Sequence, residues 1–324
     1  MAVSRFISGM SVAINAMLDY REALGFSRAA HESSLLNFDR YCIAHYPEND
    51  SITQDMALSW ISEQMDKPKC NIGEKATTIR LLGQYLSAIG QKSYILPKSY
   101  VSKKAIFTPY IFSDSELASL FNAADNLRTA DSVEQMIAPV LFRLIYTCGL
   151  RPNEGRELKR SAINFGTGEV LITKTKRKKE RIVVMSNDML DLCINYDNRR
   201  EAVSPVSEYF FPRKDGQPYT AVQVERIFKK CWALANPAIS PEELPGVRIY
   251  DLRHRHASAV LNRWLDEKRN LYAMLPYLRA YMGHDQMSET AYYIHILPEN
   301  IVKNAGIDWA ALEGIIPEVD VWVK

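Results

Sequence analysis

The sequence predicts a mainly α-helical fold that carries one small antiparallel β-sheet. Apolar residues recur at helical spacing over most of the chain, which is typical of amphipathic helices. One segment, "AINFGTGEVLITKTKRKKERIVVM" at residues 162–185, instead alternates and turns as two or three short strands would. The length of 324 residues, 47% of them hydrophobic and 24% charged, indicates about two globular domains.

The first domain is predicted to be a bundle of four helices within residues 1–95. Gly25, Pro47 and Gly90 interrupt the helical pattern and are expected to end three of these helices. No alternating, strand-like pattern competes with the helical one in this region. The four predicted helices cover residues 3–24, 27–45, 53–65 and 74–90.

Residues 96–107 are predicted to be an extended basic linker. The surrounding stretch "KSYILPKSYVSKKAIFTPY" contains two prolines and four lysines and shows no helical or strand period. A new helix is expected directly afterwards, because Ser113 and Glu116 match a capping box. The second domain therefore covers residues 108–299, and residues 300–324 form a C-terminal tail.

The second domain mixes helices with the small sheet. A long apolar helix is predicted to end at Gly149, before the strands. Further helices are expected within residues 186–202, 219–235, 250–270 and 271–283, followed by a short helix that carries Tyr292 and Tyr293.

Composition excludes several classes of protein. The formal net charge of +2 means that a polyanionic partner must be met by local basic patches. The five cysteines are widely spaced without a CxxC pair, which favours free thiols over a disulfide framework or a zinc knuckle. No run approaches the roughly 18 apolar residues of a membrane span. The N-terminal pattern favours an amphipathic helix over a signal peptide, so we expect a cytoplasmic protein.

Arg151 lies at a junction that would hold its side chain in place. It follows Gly149 in "LIYTCGLRPNEGRELKR" and precedes Pro152, which suits the first position of a helix. Glu154 falls on the same helical face and could support the guanidinium. The alternative is an ordinary surface Arg–Glu pair, which contributes little.

The predicted hairpin is strongly basic. Six of the eight residues from Lys174 to Arg181 are Lys or Arg. Because the run lies between apolar strands, it would project as a finger suited to a nucleic-acid groove or backbone. A solvated charged surface is the alternative.

The stretch "RIYDLRHRHASAVL" gathers Arg248, Arg253, His254, Arg255 and His256 at the start of a helix. Either histidine could simply satisfy a buried backbone group. A zinc site is not predicted, because no Cys or Glu lies at helical spacing and the two histidines point to different faces.

The stretch "MGHDQMSETAYYIH" places Gly283 and His284 at a turn before two adjacent tyrosines. Adjacent helical residues point about 100° apart, so only one of the two can face a shared phosphate. Arginines, a hairpin lysine, a histidine and a tyrosine together suit phosphoryl transfer. No nucleotide-binding or metal-binding motif accompanies them.

These motifs resemble those of the tyrosine recombinases, also called phage integrases. "TCGLRPNEGREL" is similar to the family box "TGLRxxExxxL", "KTKRKKERIVVM" to "GKGxKxRxVPL", "YDLRHRHAS" to "HxLRHxFA", and "MGHDQMSETAYYIH" to "LGHxxxxxTxxYxH". The four boxes appear in the family's order over residues 108–295. The two departures are Tyr250, where the family usually has His, and Arg177, where it has Gly.

The resemblance implies a helical core-binding domain, a mixed α/β catalytic domain and a set of site residues. Tyr293 would be the nucleophile, with Tyr292 turned toward the packed side. Glu154 and His254 would support the site. The implied catalytic residues are Arg151, Lys176, Tyr250, Arg253, His284 and Tyr293, and the implied DNA contacts are Arg80, Lys103, Lys104, Lys174, Arg177 and Lys178.

The implied activity is cleavage and rejoining of DNA through a 3′-phosphotyrosyl link, without cofactor, metal or ATP. Implied partners are double-stranded recombination sites and further copies of the chain, as a dimer on each site and a tetramer in synapsis. Accessory DNA-bending proteins, and docking of the tail on a neighbouring protomer, stay open. The alternatives are a type IB topoisomerase, a telomere resolvase, or an inactive DNA-binding relative.

Overall fold

A computed structural model describes residues 5–65, 67, 70–100, 109–173, 180–203 and 207–295. The chain divides into two compact units, Met1–Ile106 and Phe107–Lys324. The described residues are mostly helical and include a single small antiparallel sheet, as the sequence predicted. In the described ranges, no helix combines the length and apolar character that crossing a bilayer requires.

Four α-helices are described in the first unit, around an apolar core that includes Phe38 and Trp60, whose rings meet edge to face at 5.1 Å. The side chain of Asn71 caps the fourth helix by accepting from the backbone N–H of Glu74. The helices are α1 (Ser11–Ala23), α2 (Ala29–His45), α3 (Gln54–Met65) and α4 (Ile72–Ala88).

The predicted start of the first helix at residue 3 is wrong, since α1 begins at Ser11. The backbone N–H groups of Ile7 and Ser8 donate instead to the buried carboxylate of Asp39, at 2.9 and 3.1 Å. These long-range hydrogen bonds hold the residues before α1 in a non-helical conformation, which no local sequence pattern could reveal.

Eight helices are described in the second unit. The capping box predicted at Ser113 and Glu116 is present at the start of the first of them. A second box, formed by Thr220 and Gln223, opens a later helix. The helices are α5 (Asp114–Asp125), α6 (Ser132–Thr147), α7 (Pro152–Arg156), α8 (Asn187–Val203), α9 (Ala221–Ala235), α10 (Tyr250–Asp266), α11 (Leu271–Met282) and α12 (Met287–His295).

The sheet contains β1 (Ile163–Asn164), β2 (Glu169–Ile172) and β3 (Arg181–Val184) in that order, with antiparallel pairing. Val170 pairs with Val183, and both side chains enter the main core of the unit. Leu171 and Ile182 also pair but face outward, as the period of two requires. The basic part of the hairpin, 174–179, lies outside the described residues.

A smaller core joins α10, α11 and α12. Its buried members are Ala257, Leu261, Leu271, Leu275, Leu278, Met282 and Tyr293. Because α10, α11 and α12 share this core, the side chains at their facing ends have fixed positions relative to one another.

Candidate active site

Arg151 is held at the start of α7 by bonds within that helix and to one distant segment. Its backbone N–H and its Nη1 both donate to Glu154, at 2.8 and 2.9 Å. Its Nη2 donates to the carbonyl oxygen of Gly283, 132 residues away, at 2.6 Å. The Glu154 side chain is only 3% exposed, so this is not an ordinary surface pair.

Gly149, two residues before Arg151, adopts a backbone conformation and a close packing that favour glycine. Its φ of +60° lies in the left-handed region, and a Cβ there would fall 2.7 Å from Cδ2 of His256. The imidazole of His256 stacks on Tyr281, with ring centroids 5.8 Å apart. His256 is thus part of the packing behind Arg151.

Arg181 is a site residue that the motif comparison did not single out. Its Nη1 and Nη2 donate to the two carboxylate oxygens of Glu154 at 2.9 and 2.6 Å, and its Nε donates to the carbonyl oxygen of Tyr281 at 2.9 Å. Burial alone would raise the pKa of Glu154, but the bonds and charges of its arginines lower it to about 2. The sequence signal was the Arg of the family box "GKGxKxRxVPL", with which Arg181 aligns.

Arg253 is completely buried beneath the wall of the pocket rather than on it. Its Nη1 donates to the carbonyl oxygen of Gly149 at 2.6 Å, and its Nη2 to that of Met282 at 2.5 Å. These bonds tie α10 to the ends of α6 and α11. Burial lowers the pKa of Arg253, and its Nε has no partner among the described residues.

His284 is held in one tautomer by its two partners. Its Nε2 lies 3.0 Å from Nη2 of Arg253, and its Nδ1 lies 2.8 Å from Oγ1 of Thr290. Because a guanidinium can only donate, Nε2 must accept, and the neutral ring carries its proton on Nδ1. Burial and the nearby arginines, Arg253 first, lower the pKa of His284 to about 3.

Both tyrosines of the pair line the pocket, but Tyr293 is the more deeply buried at 2% exposure. Its ring lies nearly parallel to that of His284, at 5.8 Å and 17°. Burial raises the pKa of Tyr293 to about 12, although the nearby Arg253 opposes this. The expectation that Tyr292 alone faces the packed side is wrong. The reason is that α12 packs on α10 and α11 through the face that bears Tyr293.

Tyr250 and His254 lie one helical turn apart on α10, with ring centroids at 5.0 Å. The His254 ring also lies 5.5 Å from that of Tyr293, so the imidazole contacts both tyrosines. Burial and the charges of Arg248 and Arg253 lower the pKa of His254 to about 4. Its buried Nδ1 has no hydrogen-bond partner among the described residues.

These side chains surround one open pocket of about 560 Å³. Arg151 and Arg181 reach its wall from α7 and β3, while His284 and the two tyrosines reach it from α12 and the turn before it. Four of the six predicted catalytic residues line it, namely Arg151, Tyr250, His284 and Tyr293, and Arg253 lies behind them. The described residues contain no group of three His, Cys, Asp or Glu side chains suited to a metal.

Most of the predicted DNA contacts fall on residues that the structure does not describe. Lys103, Lys104, Lys174, Lys176, Arg177 and Lys178 lie outside the described residues. Arg80, in the first unit, donates through Nε and Nη2 to the carbonyl oxygens of Leu96 and Pro97, at 2.7 and 2.9 Å. Some of its N–H groups therefore form hydrogen bonds within the protein.

Comparison with known proteins shows the family of this chain. Residues 111–300 match the phage integrase family. That match covers more than half of the chain. The chain belongs to the phage integrase family.

Relatives of this integrase-family chain are recombinases by name. An integrase/recombinase of Sinorhizobium fredii, y4rE, is 28% identical over 281 residues, covering 86% of this chain and 88% of the relative. The tyrosine recombinase XerC of Halalkalibacterium halodurans is 25% identical over 274 residues, covering 79% and 84%.

Solved structures share the integrase fold. The XerH recombinase bound to its difH substrate superposes with a TM-score of 0.61 at 19% identity, over 83% of this chain and 76% of XerH. The Tn1549 transposon integrase, in a complex with circular intermediate DNA, gives 0.62 at 15% identity, over 87% and 94%.

The integrase domain is expected to lose stability in acid, because its buried histidines and Glu154 have lowered pKa values. The pKa values of His254 and His256 are lowered to about 4, that of His284 to about 3 and that of Glu154 to about 2. Each group therefore binds fewer protons when folded than when unfolded. We expect stability to fall as the pH drops below about 6.5, through the histidines, and further below about 4.5, through Glu154.

The measurement is urea unfolding of the full chain between pH 7.5 and 4. A His256→Gln variant loses one of these groups and should show a shallower pH dependence over the upper part of this range. Equal stability at pH 7 and pH 5 would contradict the prediction.

Proposed function

We propose that this chain is a site-specific DNA recombinase that cuts and rejoins strands through a 3′-phosphotyrosyl intermediate. The observation that carries the proposal is the meeting of Arg151, Arg253, His284 and Tyr293 around one pocket, from segments that are distant in the chain. The names of its relatives, integrase/recombinase and tyrosine recombinase, support the same class of reaction.

In the proposed reaction the Tyr293 oxygen attacks a DNA phosphorus in line with the 5′-oxygen. The new bond joins the tyrosyl oxygen to phosphorus, the bond to the 5′-oxygen breaks, and that oxygen leaves as a hydroxyl. A 5′-hydroxyl from a partner strand then attacks the phosphotyrosine and releases the tyrosine. Since each step exchanges one phosphoester bond for another, no ATP is required.

Arg151 and Arg253 are proposed to stabilise the charge that builds on the non-bridging oxygens. Each guanidinium has five N–H donors, and the bonds described above leave some of them unused. Arg253 is fully buried in the absence of DNA, so it would meet the phosphate only after side chains of the pocket rearrange.

His284 and Lys176 are proposed to serve the other oxygens. His284 would hydrogen-bond a non-bridging oxygen, which requires that its Nε2 gain a proton or exchange partners with Arg253. Lys176 would protonate the leaving 5′-oxygen, because an ammonium can give up a proton where a guanidinium hardly can.

His254 is proposed to accept the proton of Tyr293. A tyrosine is a weak nucleophile while protonated, and phenolic Tyr250 is a poor acceptor where the family usually has His. The neutral imidazole of His254 contacts Tyr293 and carries a buried Nδ1 without a partner among the described residues. Burial first, and then the positive charges of Arg248 and Arg253, disfavour protonation of His254, and a bound phosphate would offset part of that charge.

Matched substitutions on α10 test this division of roles. We expect His254→Gln to slow cleavage by about 10²-fold, as loss of an acid–base group does. Tyr250→Phe should slow it only about tenfold, through loss of a hydrogen bond to the phosphate. The measurement is the single-turnover rate of strand cleavage at saturating DNA.

An unchanged rate in Tyr250→Phe would exclude a catalytic hydroxyl there. An unchanged rate in His254→Gln would return the base role to water. Ser258→Ala is a control on the same helix, because its hydroxyl only donates to the backbone carbonyl of His254 at 3.1 Å.

The proposed partners are double-stranded recombination sites, bound by dimers that pair as a tetramer in synapsis. The XerH structure holds its difH substrate and the Tn1549 structure holds circular intermediate DNA, which supports a DNA substrate for this chain too. Residues 1–95 and the linker 96–107 would contact DNA through Arg80, Lys103 and Lys104, and the hairpin through Lys174, Arg177 and Lys178. The tail 300–324 would dock on a neighbouring protomer. Such a protein would act in the cytoplasm, on the nucleoid.

The test of this function starts from the DNA that flanks the chain's own coding sequence. Footprinting would locate the bound site, and a nicked suicide substrate of that site would trap a covalent protein–DNA adduct. An adduct supports the recombinase. Specific binding without an adduct would favour an inactive DNA-binding relative. Relaxation of a plasmid that lacks the site would favour a type IB topoisomerase.

A further inference from the structure

Arg181 is the most completely engaged arginine on the pocket wall. It opens β3 directly after the basic hairpin, and its side chain is 8% exposed. The guanidinium bridges Glu154 of α7 and the backbone carbonyl of Tyr281 in α11, using Nη1, Nη2 and Nε. All three of its nitrogens therefore donate within the protein, whereas Nε of Arg253 has no partner among the described residues.

Glu154 has both oxygens occupied because of Arg181. Oε1 accepts from Nη1 of Arg181 and Nη1 of Arg151, each at 2.9 Å. Oε2 accepts from Nη2 of Arg181 at 2.6 Å and from the backbone N–H of Arg151 at 2.8 Å. Nη1 of Arg253 stays 4.0 Å from Oε2, beyond hydrogen-bond distance.

Loss of Arg181 would change which groups compete for Glu154. A buried carboxylate with open acceptor positions is costly and draws the nearest donors. The nearest are the guanidinium groups of Arg151, already bonded, and Arg253 at 4.0 Å. N–H groups that should bind the phosphate would then bond to Glu154 instead.

We propose that Arg181 is a positioning residue that saturates Glu154, so that the remaining donors of Arg151 and Arg253 stay free for the scissile phosphate. The inference rests on the proposed function and assigns to this site a residue with no direct contact to the reacting atoms. Because Arg181 balances the single negative charge of Glu154, Arg151 and Arg253 give the site a net positive charge for the phosphate.

Arg181 also holds the turn that carries His284. Besides its bond to Tyr281, it packs against Gly283, where an added Cβ would lie 2.9 Å from Nη1 of Arg181. The same glycine has a φ of +65° and gives its carbonyl oxygen to Arg151. One guanidinium thus sets the positions of both the arginine and the histidine beside the phosphate.

The test compares Arg181→Gln, Glu154→Gln and the double variant in single-turnover cleavage of the suicide substrate. The rate constant is separated from the amplitude, which counts the active molecules. We expect Arg181→Gln to lower the rate constant about 30-fold at saturating DNA. In the double variant the rate constant should be about tenfold higher than in Arg181→Gln. The reason is that the neutral amide replacing the Glu154 carboxylate no longer attracts Arg151 and Arg253 by its charge.

A merely structural ion pair would behave differently. It would lower the melting temperature and the amplitude in the single variants but leave the rate constant of the active molecules unaltered. The pair of Arg143 and Asp125 is the matched control, with two bonds of 2.7 Å away from the pocket. Arg143→Gln, alone or with Asp125→Asn, should change stability only.

Arg181→Lys is included in case Arg181→Gln does not fold. It keeps the charge and one of the two bonds to Glu154. It should fall between the wild type and Arg181→Gln in rate. A double variant no faster than Arg181→Gln, or an Arg181→Lys with the wild-type rate, would overturn the inference.

Binding of inorganic phosphate, measured by calorimetry on the full chain, separates this inference from the proposed function. Phosphate binding that weakens about tenfold in Arg181→Gln and recovers in the double variant supports the role of Arg181 even if no adduct forms. An adduct in the wild type without this pattern in rate or binding supports the recombinase and overturns the role of Arg181.

Discussion

Replacing Tyr293 with Phe is expected to abolish the covalent protein–DNA adduct, whereas Tyr292→Phe is expected to retain it. The substitution removes only the oxygen that would attack phosphorus, and no neighbouring hydroxyl can take its exact position. Loss of a nucleophile lowers turnover by a factor on the order of 10⁴ or more. Tyr292 projects about 100° away on the same helix and would lose only a hydroxyl that takes no part in the chemistry.

The measurement is the yield of adduct on the suicide substrate, together with the melting temperature of each variant. Tyr293→Phe should retain the stacking on His284, so its folded state should persist. The contrast is stringent, because Tyr292 is the less buried of the two and also lines the pocket. An adduct that survives in Tyr293→Phe and disappears in Tyr292→Phe would assign the nucleophile to Tyr292.

Replacing Arg253 is expected to impair both stability and cleavage. Arg253→Ala would leave the carbonyl oxygens of Gly149 and Met282 without their donor and open a cavity in a fully buried position. Breaking such a buried charged network costs on the order of 3 kcal/mol. Loss of a guanidinium that stabilises the transition state should lower the cleavage rate by about 10²-fold or more.

Arg253→Lys separates the two effects. A lysine retains the charge but cannot satisfy both carbonyls and His284 in the same fork geometry, so we expect partial stability and a severely reduced rate. Urea unfolding and single-turnover cleavage at a temperature where the variant is folded measure the two losses. Arg255→Gln is the neighbouring control, because Arg255 pairs with the exposed Asp114 and should contribute less than about 1 kcal/mol.

A wild-type rate in a folded Arg253→Lys would show that the guanidinium fork is not needed in the reaction. A stable Arg253→Ala would show that the carbonyls of Gly149 and Met282 find other donors.

The sequence by itself determined the kind of fold and most of the residues that meet at the pocket. Helical spacing, capping residues and one alternating segment predicted the helices and the sheet, because these signals act over a few residues. Arg151, His284 and Tyr293 could be singled out because the spacing within each box matches a known family. A departure from that family, Tyr250, also directed attention to His254, one turn further along the same helix.

Only the tertiary structure decided how these residues share their bonds. Arg181 reaches Tyr281 across 100 residues, and Arg253 reaches Gly149 across 104 residues, so neither pairing leaves a local pattern. The depth of Tyr293 and the non-helical start of α1 have the same origin, since packing against distant elements sets them. Spacing along a chain specifies which face of a helix a side chain occupies. The distant partners that fill its hydrogen bonds are specified only when the buried surfaces pack together.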